Sequence, residues 1–231
     1  MSAPTQNTSQ GFVGRTVNAL EENAIALILG LMIVITFTNV VLRYTMNTGL
    51  VWGLEATAVL FAWLVLFGIS YCVKTTSHLG VDALIIYFKP STRRVIALIA
   101  GAICIAYAML LMKGAWDYWA NFANLPGTTG RIFPTGFEEK FLAKGWYEMN
   151  DVPLPEFMRF LEPIMNEGEA YEKFPRFLPY IILPIGIALL LFRFIQATVR
   201  IYKGTATGLI ASHEVEDELE ALEAARVGGK D

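Results

Sequence analysis

Four long apolar stretches dominate the pattern of hydrophobic and polar positions along the chain. A hydrocarbon core about 30 Å thick requires about 20 apolar residues in a helix. The stretches that meet this length with little interruption by charge are residues 24–42, 50–73, 95–112 and 177–194. The pattern therefore predicts an all-α integral membrane protein with four transmembrane helices.

Two of the predicted spans contain residues that indicate how they pack. Small residues such as Ala97 and Gly101 cluster along the third span, and small residues let helix backbones approach closely in lipid. The fourth span contains Pro179, Pro184 and Gly186, which in a membrane helix usually mark a kink. We expect the third helix to pack inside a bundle and the fourth to be bent.

A secretory signal peptide is the alternative interpretation of the first stretch. Residues 1–23 precede it with Arg15 as their only positive charge, and no small-residue cleavage site follows a short apolar core. Signal peptides have a basic beginning, a shorter apolar core and such a cleavage site. We therefore interpret the first stretch as a retained span.

Lysine and arginine in short loops indicate the orientation, because they are enriched on the cytoplasmic side. The link between the second and third spans carries Lys74, Lys89, Arg93 and Arg94, and the segment that begins at the end of the fourth span carries Arg193, Arg200 and Lys203 close to the membrane. Both segments are predicted to be cytoplasmic. An even number of spans then places both termini in the cytoplasm.

These spans divide the chain into five segments. Residues 1–23 form a predicted cytoplasmic N-terminal segment, for which the sequence allows an interfacial helix or a flexible tail. The remaining segments are the first three helices with their cytoplasmic link (24–113), a periplasmic insertion (114–176), the fourth helix (177–195) and an acidic cytoplasmic tail (196–231).

The insertion is unusually long for a link between two spans, and it contains several aromatic residues and prolines but no repeat. A structureless loop of this length is uncommon unless it is functional. We expect an extended external excursion between helices 3 and 4 that is folded. A loosely ordered loop is the alternative.

Composition and charge exclude several classes of protein. The chain has 231 residues, of which 55% are hydrophobic and 17% charged, more apolar surface than one soluble core needs. A net charge of −3 without a basic stripe argues against a nucleic-acid partner. Cys72 and Cys104 lie in or beside apolar runs at a spacing that suggests neither a disulfide framework nor a metal site.

The inventory of reactive residues argues against an enzyme. The two histidines, His78 and His213, lie outside the spans, which excludes a bis-histidine haem. The motifs of membrane proteases and nucleotide-driven pumps are absent from the sequence, and so are the inverted repeats of a complete transporter. We expect no catalytic residue, no metal ion and no cofactor.

Polar residues inside a bilayer are costly and are therefore candidates for specific contacts. Arg43 ends the first span and Glu55 lies about a turn into the second, so the two side chains are placed to pair across the hairpin or to contact a partner subunit. Direct proton or ion transfer by Glu55 is the alternative. Asn39 lies one turn before Arg43, where its amide can hydrogen-bond across helices.

Two tryptophans of the second span are further candidates for intramembrane or partner contacts. Trp52 lies near the predicted external interface, where tryptophan commonly anchors a helix. Trp63 lies near the middle of the membrane. A tryptophan at this depth usually packs into a neighbouring helix that accepts a hydrogen bond from its indole N–H.

The hairpin of the first two spans resembles a known family. The motifs that carry the resemblance are NVVLRYTMN at 39–47, WGLE at 52–55, FAWLVLFG at 61–68 and HLGVD at 78–82. They are similar to the small membrane subunit, DctQ type, of tripartite ATP-independent periplasmic (TRAP) transporters. The resemblance covers residues 20–113 by motif and the fourth span by position only.

The resemblance implies a multi-pass protein of the bacterial inner membrane that works with two partners. One is a large permease subunit that carries substrate and sodium, and the other is a periplasmic substrate-binding protein that delivers an organic acid such as a C4-dicarboxylate. The small subunit would act as a scaffold for the large one, surrounded by membrane lipid. The long insertion departs from the family pattern. A stand-alone four-span channel and a membrane assembly factor are the alternatives.

Overall fold

The computed structural model describes residues 12–74, 90–139, 148–166 and 168–204. Three predictions lie largely or wholly outside these residues. They concern the first part of the N-terminal segment, the cytoplasmic link between the second and third spans with its HLGVD motif, and the acidic C-terminal tail.

Long helices make up most of the described structure. Helix α1 is Phe12–Thr45, α2 is Gly53–Lys74 and α3 is Pro90–Phe122. The fourth span is built from a short helix, which we number α5 (Phe177–Tyr180), and a long one, α6 (Ile182–Lys203). Four helical stretches are long and apolar enough to cross a membrane, namely Ala19–Thr45, Gly53–Val73, Ser91–Phe122 and Phe177–Lys203. The predicted fold class is confirmed, while the placement of both termini in the cytoplasm stays a prediction.

The helices extend beyond the apolar stretches from which they were predicted. Helix α1 runs without interruption from Phe12 into the first span, so the described part of the N-terminal segment continues the transmembrane helix. The fourth span continues to Lys203, past the predicted limit at residue 195. It ends where Gly204 adopts φ 76°, a left-handed conformation typical of a residue that terminates a helix. Hydropathy marks where lipid contact weakens, whereas the backbone hydrogen bonds of a helix continue into polar sequence.

The fourth span is interrupted near its beginning, in the region where the prolines predict a bend. Ile181 separates α5 from α6. Pro184 has no backbone N–H, so the carbonyl of Tyr180 lacks the donor that an ordinary helix would supply. A second proline, Pro179, lies within the short helix itself. The two prolines therefore account for the interruption, and the bend itself stays a prediction.

The spans pack in the order α1, α2, α6, α3, so that α2 and α6 are central and the other two are peripheral. A hydrophobic cluster joins α1, α2 and α6 through Ile28, Phe67 and Ile182. Helix α1 leaves much of its apolar surface uncovered, and Ile33 and Phe37 are each 68% exposed. Such side chains must contact lipid or another protein in a membrane.

Two glycines allow neighbouring helices to approach closely. A Cβ atom added to Gly186 would lie 2.8 Å from Cβ of Leu66 in α2. A Cβ atom added to Gly101 would lie 2.5 Å from Oγ1 of Thr198, where α3 meets α6. Close approach at small residues is a main source of helix association in lipid. Within the described residues α3 is a peripheral helix and not an internal one as expected, although Gly101 brings it close to α6.

The described part of the insertion is folded. Strands β1 (Gly127–Thr128) and β2 (Phe137–Glu138) form one antiparallel ribbon, and β3 (Glu148–Pro153) and β4 (Lys173–Pro175) form a second with a shifted register. A 3₁₀ helix (Glu156–Leu161) and the short helix α4 (Glu162–Met165) lie between β3 and β4. We call residues 123–176 the excursion. Its core consists of Ala123, Leu154 and Tyr171, which pack against Phe177 at the start of the fourth span.

The contact at Gly186 makes a first prediction. Gly186→Ala places a methyl group against the rigid Cβ of Leu66 and should lower the stability of the detergent-solubilised protein by about 1–3 kcal/mol, as overpacking does in other cores. Gly68→Ala is the matched control, because nothing lies within 4 Å of a Cβ at that glycine. Thermal unfolding of both variants checks the prediction. Equal unfolding temperatures would contradict a close helix contact at Gly186.

Candidate functional site

A buried polar cluster connects three spans at one end of the helix bundle. Arg193 Nη2 of α6 donates to Glu21 Oε2 of α1, and Ser70 Oγ of α2 donates to Glu21 Oε1 over 2.6 Å. Arg193 Nη1 donates to Gln196 Oε1 over 3.1 Å. Glu21 and Ser70 are 0% exposed and Arg193 is 1% exposed. The cluster therefore fixes α1, α2 and α6 relative to one another.

The sequence-based interpretation placed Arg193 among the charges that follow the fourth span, and the structure corrects it. Arg193 lies inside the helix and faces the bundle, because Glu21 supplies a compensating charge. A lone charge at this position would be costly in lipid, whereas a paired and hydrogen-bonded one is tolerated. Glu21 is preceded in α1 by polar residues, so a hydropathy pattern assigns it to the water-exposed segment. A regular repeat of apolar positions does not predict such a pair.

Two tryptophans bind the backbone of α5 from opposite sides. Trp63 Nε1 of α2 donates to the Pro179 carbonyl over 2.8 Å. Trp119 Nε1 of α3 donates to the Phe177 carbonyl over 2.8 Å. Both acceptors belong to the short helix that precedes the break in the fourth span. The expected packing of Trp63 into a neighbouring helix, with its indole N–H satisfied there, is found in the structure, whereas Trp119 was not singled out from the sequence.

Asn39 stabilises the hairpin between the first two spans. Its side-chain Oδ1 accepts a hydrogen bond from the Leu50 N–H over 2.9 Å. A Cβ at Gly49 would lie 3.2 Å from the same oxygen, so the link passes close to the amide. Asn39 thus connects α1 to the link that precedes α2, whereas its position had suggested a hydrogen bond to a second helix.

Glu55 binds the excursion. Its Oε2 accepts a hydrogen bond from the Asp151 N–H over 2.8 Å, and its Oε1 accepts one from the Asn150 N–H over 3.2 Å. Among the residues that the structure describes, no ion pair joins Glu55 to Arg43, so the expected pairing across the hairpin is not formed there. A contact of Arg43 with a partner subunit stays a prediction.

The other candidate residues lie at the same end of the membrane helices as Glu55. The Arg43 side chain is exposed near the end of α1, and Trp52 is half-buried in the turn that precedes α2. The role of Trp52 as an interface anchor stays a prediction.

A further carboxylate attaches the beginning of the excursion to α3. Asp117 Oδ1 accepts hydrogen bonds from the Thr128 N–H over 2.6 Å and from the Thr128 hydroxyl over 2.7 Å. Asp117 Oδ2 pairs with Lys113 Nζ at 2.8 Å, one turn earlier in the helix. The first strand of the excursion is therefore held against the end of the third span.

Tyr171 shows that the excursion has a dry centre. Its side chain is 4% exposed within the core of the excursion. Burial, together with the negative charges of Glu148 and Glu162, raises the pKa of Tyr171. The raised pKa agrees with a side chain that is shielded from water in the core of the excursion.

The contacts described above bind helices and the excursion, and none of them is a catalytic arrangement. Within the described ranges, no group of three or more histidine, cysteine, aspartate or glutamate side chains is placed to hold a metal ion. Glu21 accepts hydrogen bonds from two other helices, and Glu55 and Asp117 accept hydrogen bonds from the excursion.

The buried polar cluster makes a second prediction. Glu21→Met or Arg193→Met alone should lower stability by about 3–5 kcal/mol, because each leaves a buried charge without its partner. The double variant should recover most of this loss. Unfolding of the purified chain by heat or SDS provides the measurement.

An exposed ion pair of the same chain provides the control. Glu156 and Arg159 in the excursion are 89% and 47% exposed, and such surface pairs contribute about 0–1 kcal/mol. Glu156→Met should therefore have little effect. A double variant at Glu21 and Arg193 that is as unstable as either single variant would contradict the proposed pairing energy.

Comparison with known proteins identifies relatives over most of the chain. The family described as tripartite ATP-independent periplasmic transporters, DctQ component, matches residues 32–137. The C4-dicarboxylate TRAP transporter small permease protein DctQ of Vibrio cholerae is 43% identical, over 92% of this chain and 84% of its own length. The protein of the same name from Pseudomonas aeruginosa is 27% identical, over 88% of this chain and 92% of its own length.

A more distant similarity involves a putative TRAP transporter small permease protein of Haemophilus influenzae, which is 30% identical over 43% of this chain and 65% of its own length. No solved structure matches the chain. The family assignment rests on the extent of the similarity to the Vibrio cholerae protein, and the four candidate membrane helices among the described residues agree with it. The chain belongs to the DctQ family of TRAP transporter small permease subunits, and is a multi-pass protein of the bacterial inner membrane rather than an enzyme.

Proposed function

We propose that this small permease subunit scaffolds the large permease subunit of a C4-dicarboxylate TRAP transporter. Uptake through the complex is driven by sodium and depends on a periplasmic substrate-binding protein. The names of the Vibrio cholerae and Pseudomonas aeruginosa relatives support C4-dicarboxylates as the substrate class. The sodium gradient acts in the large subunit, which binds both substrate and ion.

The observation that carries the scaffold role is the distribution of polar and apolar surface. The buried charges Glu21 and Arg193 bind each other, and Glu55 binds backbone amides of the excursion. These groups are committed to holding the chain together. The peripheral helix α1 meanwhile presents apolar side chains such as Ile33 and Phe37 outward. A membrane helix whose apolar face is not covered by its own chain is available to pack against a larger membrane partner, with lipid as the alternative neighbour.

A stand-alone channel is less well supported. That alternative requires Glu55 to line a wet path through the membrane. Both of its carboxylate oxygens instead accept hydrogen bonds from the excursion, whose donors are the backbone N–H groups of Asn150 and Asp151. The carboxylate is therefore engaged in attaching the excursion rather than offered to an ion.

The excursion provides the second contact surface of the scaffold. Phe157, Phe160 and Ile164 lie along the 3₁₀ helix and α4 and are 77%, 61% and 69% exposed. On the other side of the same segment, Met158 and Leu161 pack against the core of the excursion. An apolar surface on a rigid support is characteristic of protein contact sites. We assign this surface to the large subunit or to the docked binding protein.

A reconstitution experiment tests the scaffold role. The tagged chain is co-expressed with a large TRAP permease from the same genome, and the complex is reconstituted in vesicles with the binding protein. We expect a stable complex and uptake of radiolabelled succinate that requires an inward sodium gradient and is lost when this chain is omitted. A chain that purifies alone and whose omission leaves uptake unchanged would support the channel or assembly-factor alternative instead. Uptake of a different organic acid would contradict only the substrate class.

The apolar surface of the excursion makes a separate prediction. The double variant Phe157→Ser/Phe160→Ser should reduce uptake by about tenfold or more, since buried aromatic anchors often contribute 2 kcal/mol or more to an interface. Glu156→Gln on the same 3₁₀ helix is the control and should preserve uptake, because exposed ion pairs contribute little. Membrane insertion, measured by the amount of extracted protein, should be unchanged in both. Wild-type uptake by the double variant would exclude this surface as a contact site.

A further inference from the structure

An apolar groove lies beside the third span, outside the contacts discussed so far. Its volume is about 520 Å³, and it is enclosed by α3, by α6 and by the loop between β1 and β2. Met109, Leu110, Leu191 and Phe133 contribute apolar walls, and Lys113 and Thr128 are the polar residues that line it. The groove is open on one side, so in a membrane it faces the surrounding medium.

The length of the groove corresponds to one leaflet of a bilayer. Ala106 and Trp116 both line it and are ten residues apart in α3, which is about 15 Å at a rise of 1.5 Å per residue. Half of a hydrocarbon core about 30 Å thick has the same dimension. Ala106 lies near the middle of the candidate span Ser91–Phe122, and Trp116 lies near its end. The groove therefore extends from the bilayer centre to one membrane surface.

The polar groups lie toward the end of the groove that reaches this surface. Lys113 Nζ is held by Asp117 Oδ2 at 2.8 Å, and an ammonium group has three donors, so others remain for a second acceptor. The lysine side chain is 18% exposed. The neighbouring Trp116 donates from Nε1 to the Pro126 carbonyl over 3.2 Å. Lysine and tryptophan together are typical of the level at which lipid headgroups lie.

We propose that the groove binds one phospholipid of the adjacent leaflet, with an acyl chain between α3 and the loop and the headgroup phosphate at Lys113. The medium around a transmembrane helix supplies such chains at high concentration. The groove is about as long as one leaflet and is lined mainly by apolar side chains, which suits a single extended hydrocarbon chain.

A lipid bound in the groove would also contact the loop between β1 and β2, which lies at the edge of the groove. Ile132 and Phe133 are 71% and 80% exposed at the outer edge of the groove. A lipid chain held there contacts the loop on one side and α3 on the other. The excursion is thereby attached to the membrane through the lipid as well as through Asp117. The inference concerns this chain alone and does not depend on the proposed transport function.

Native mass spectrometry of the full chain tests the binding of the acyl chain. The protein is purified in mild detergent and exposed to nanodiscs of phosphatidylethanolamine and phosphatidylglycerol before analysis. We expect one retained phospholipid per wild-type chain. Leu110→Trp fills the groove and should lower retention about tenfold, equivalent to about 1.4 kcal/mol.

The matched control for the acyl chain is Ile103→Trp. Ile103 is 64% exposed and lies seven residues earlier on the same side of α3, outside the groove, so this variant should retain lipid like the wild type. Thermal unfolding shows whether both variants are folded. Equal retention by the wild type and folded Leu110→Trp would overturn the proposal. A groove that holds no lipid in the isolated chain and is covered by the large permease in the complex would also overturn it.

A second pair of variants tests the phosphate and remains informative if Leu110→Trp does not fold. Lys113→Gln removes the positive charge and should lower retention of both phospholipids several-fold. Lys113→Arg keeps the charge and should restore it, because arginine also binds phosphate. Unchanged retention in Lys113→Gln would overturn the assignment of the headgroup to this lysine.

Discussion

In a medium without water, a polar group that lacks a protein partner costs several kcal/mol, and this constraint explains the main contacts between the spans. Arg193 lies in the middle of an apolar helix only because Glu21 and Gln196 accept hydrogen bonds from its guanidinium. Glu21 in turn requires both Arg193 and the Ser70 hydroxyl. Since each group belongs to a different helix or turn, satisfying them fixes the arrangement of α1, α2 and α6. The apolar contacts around Ile28 and Phe67 then fill the space that the polar contacts define.

The support of the interrupted fourth span follows from the same constraint. Proline removes a backbone donor and interrupts the helix, so the short helix α5 requires support from its neighbours. Trp63 and Trp119 provide it by donating to the carbonyls of Pro179 and Phe177. Indole is suited to this task because it combines a large apolar surface with a single donor. The short helix is thus bound by two helices that recognise its backbone rather than its side chains.

The sequence was sufficient to predict the features that depend on local composition. The number of spans, the interruption near Pro179 and Pro184, and the donor role of Trp63 follow from length, missing donors and the chemistry of one side chain. Pairing over long distances was not predictable in the same way. Glu21 and Arg193 are 172 residues apart, and Glu55 binds an amide 96 residues away, so no periodic pattern connects them. Arg43 was a plausible partner for Glu55 because it was close in sequence, but the folded excursion supplies donors that compete for the same carboxylate.

The attachment of the excursion determines how it can act. Glu55 joins it to α2, Asp117 joins it to α3, and its core packs against Phe177 at the start of the fourth span. A surface connected at one point would turn about that point, whereas three separate connections limit its movement relative to the membrane helices. A protein that docked on the excursion would therefore contact a surface attached to three spans. Such an attachment would suit the scaffold role that we propose.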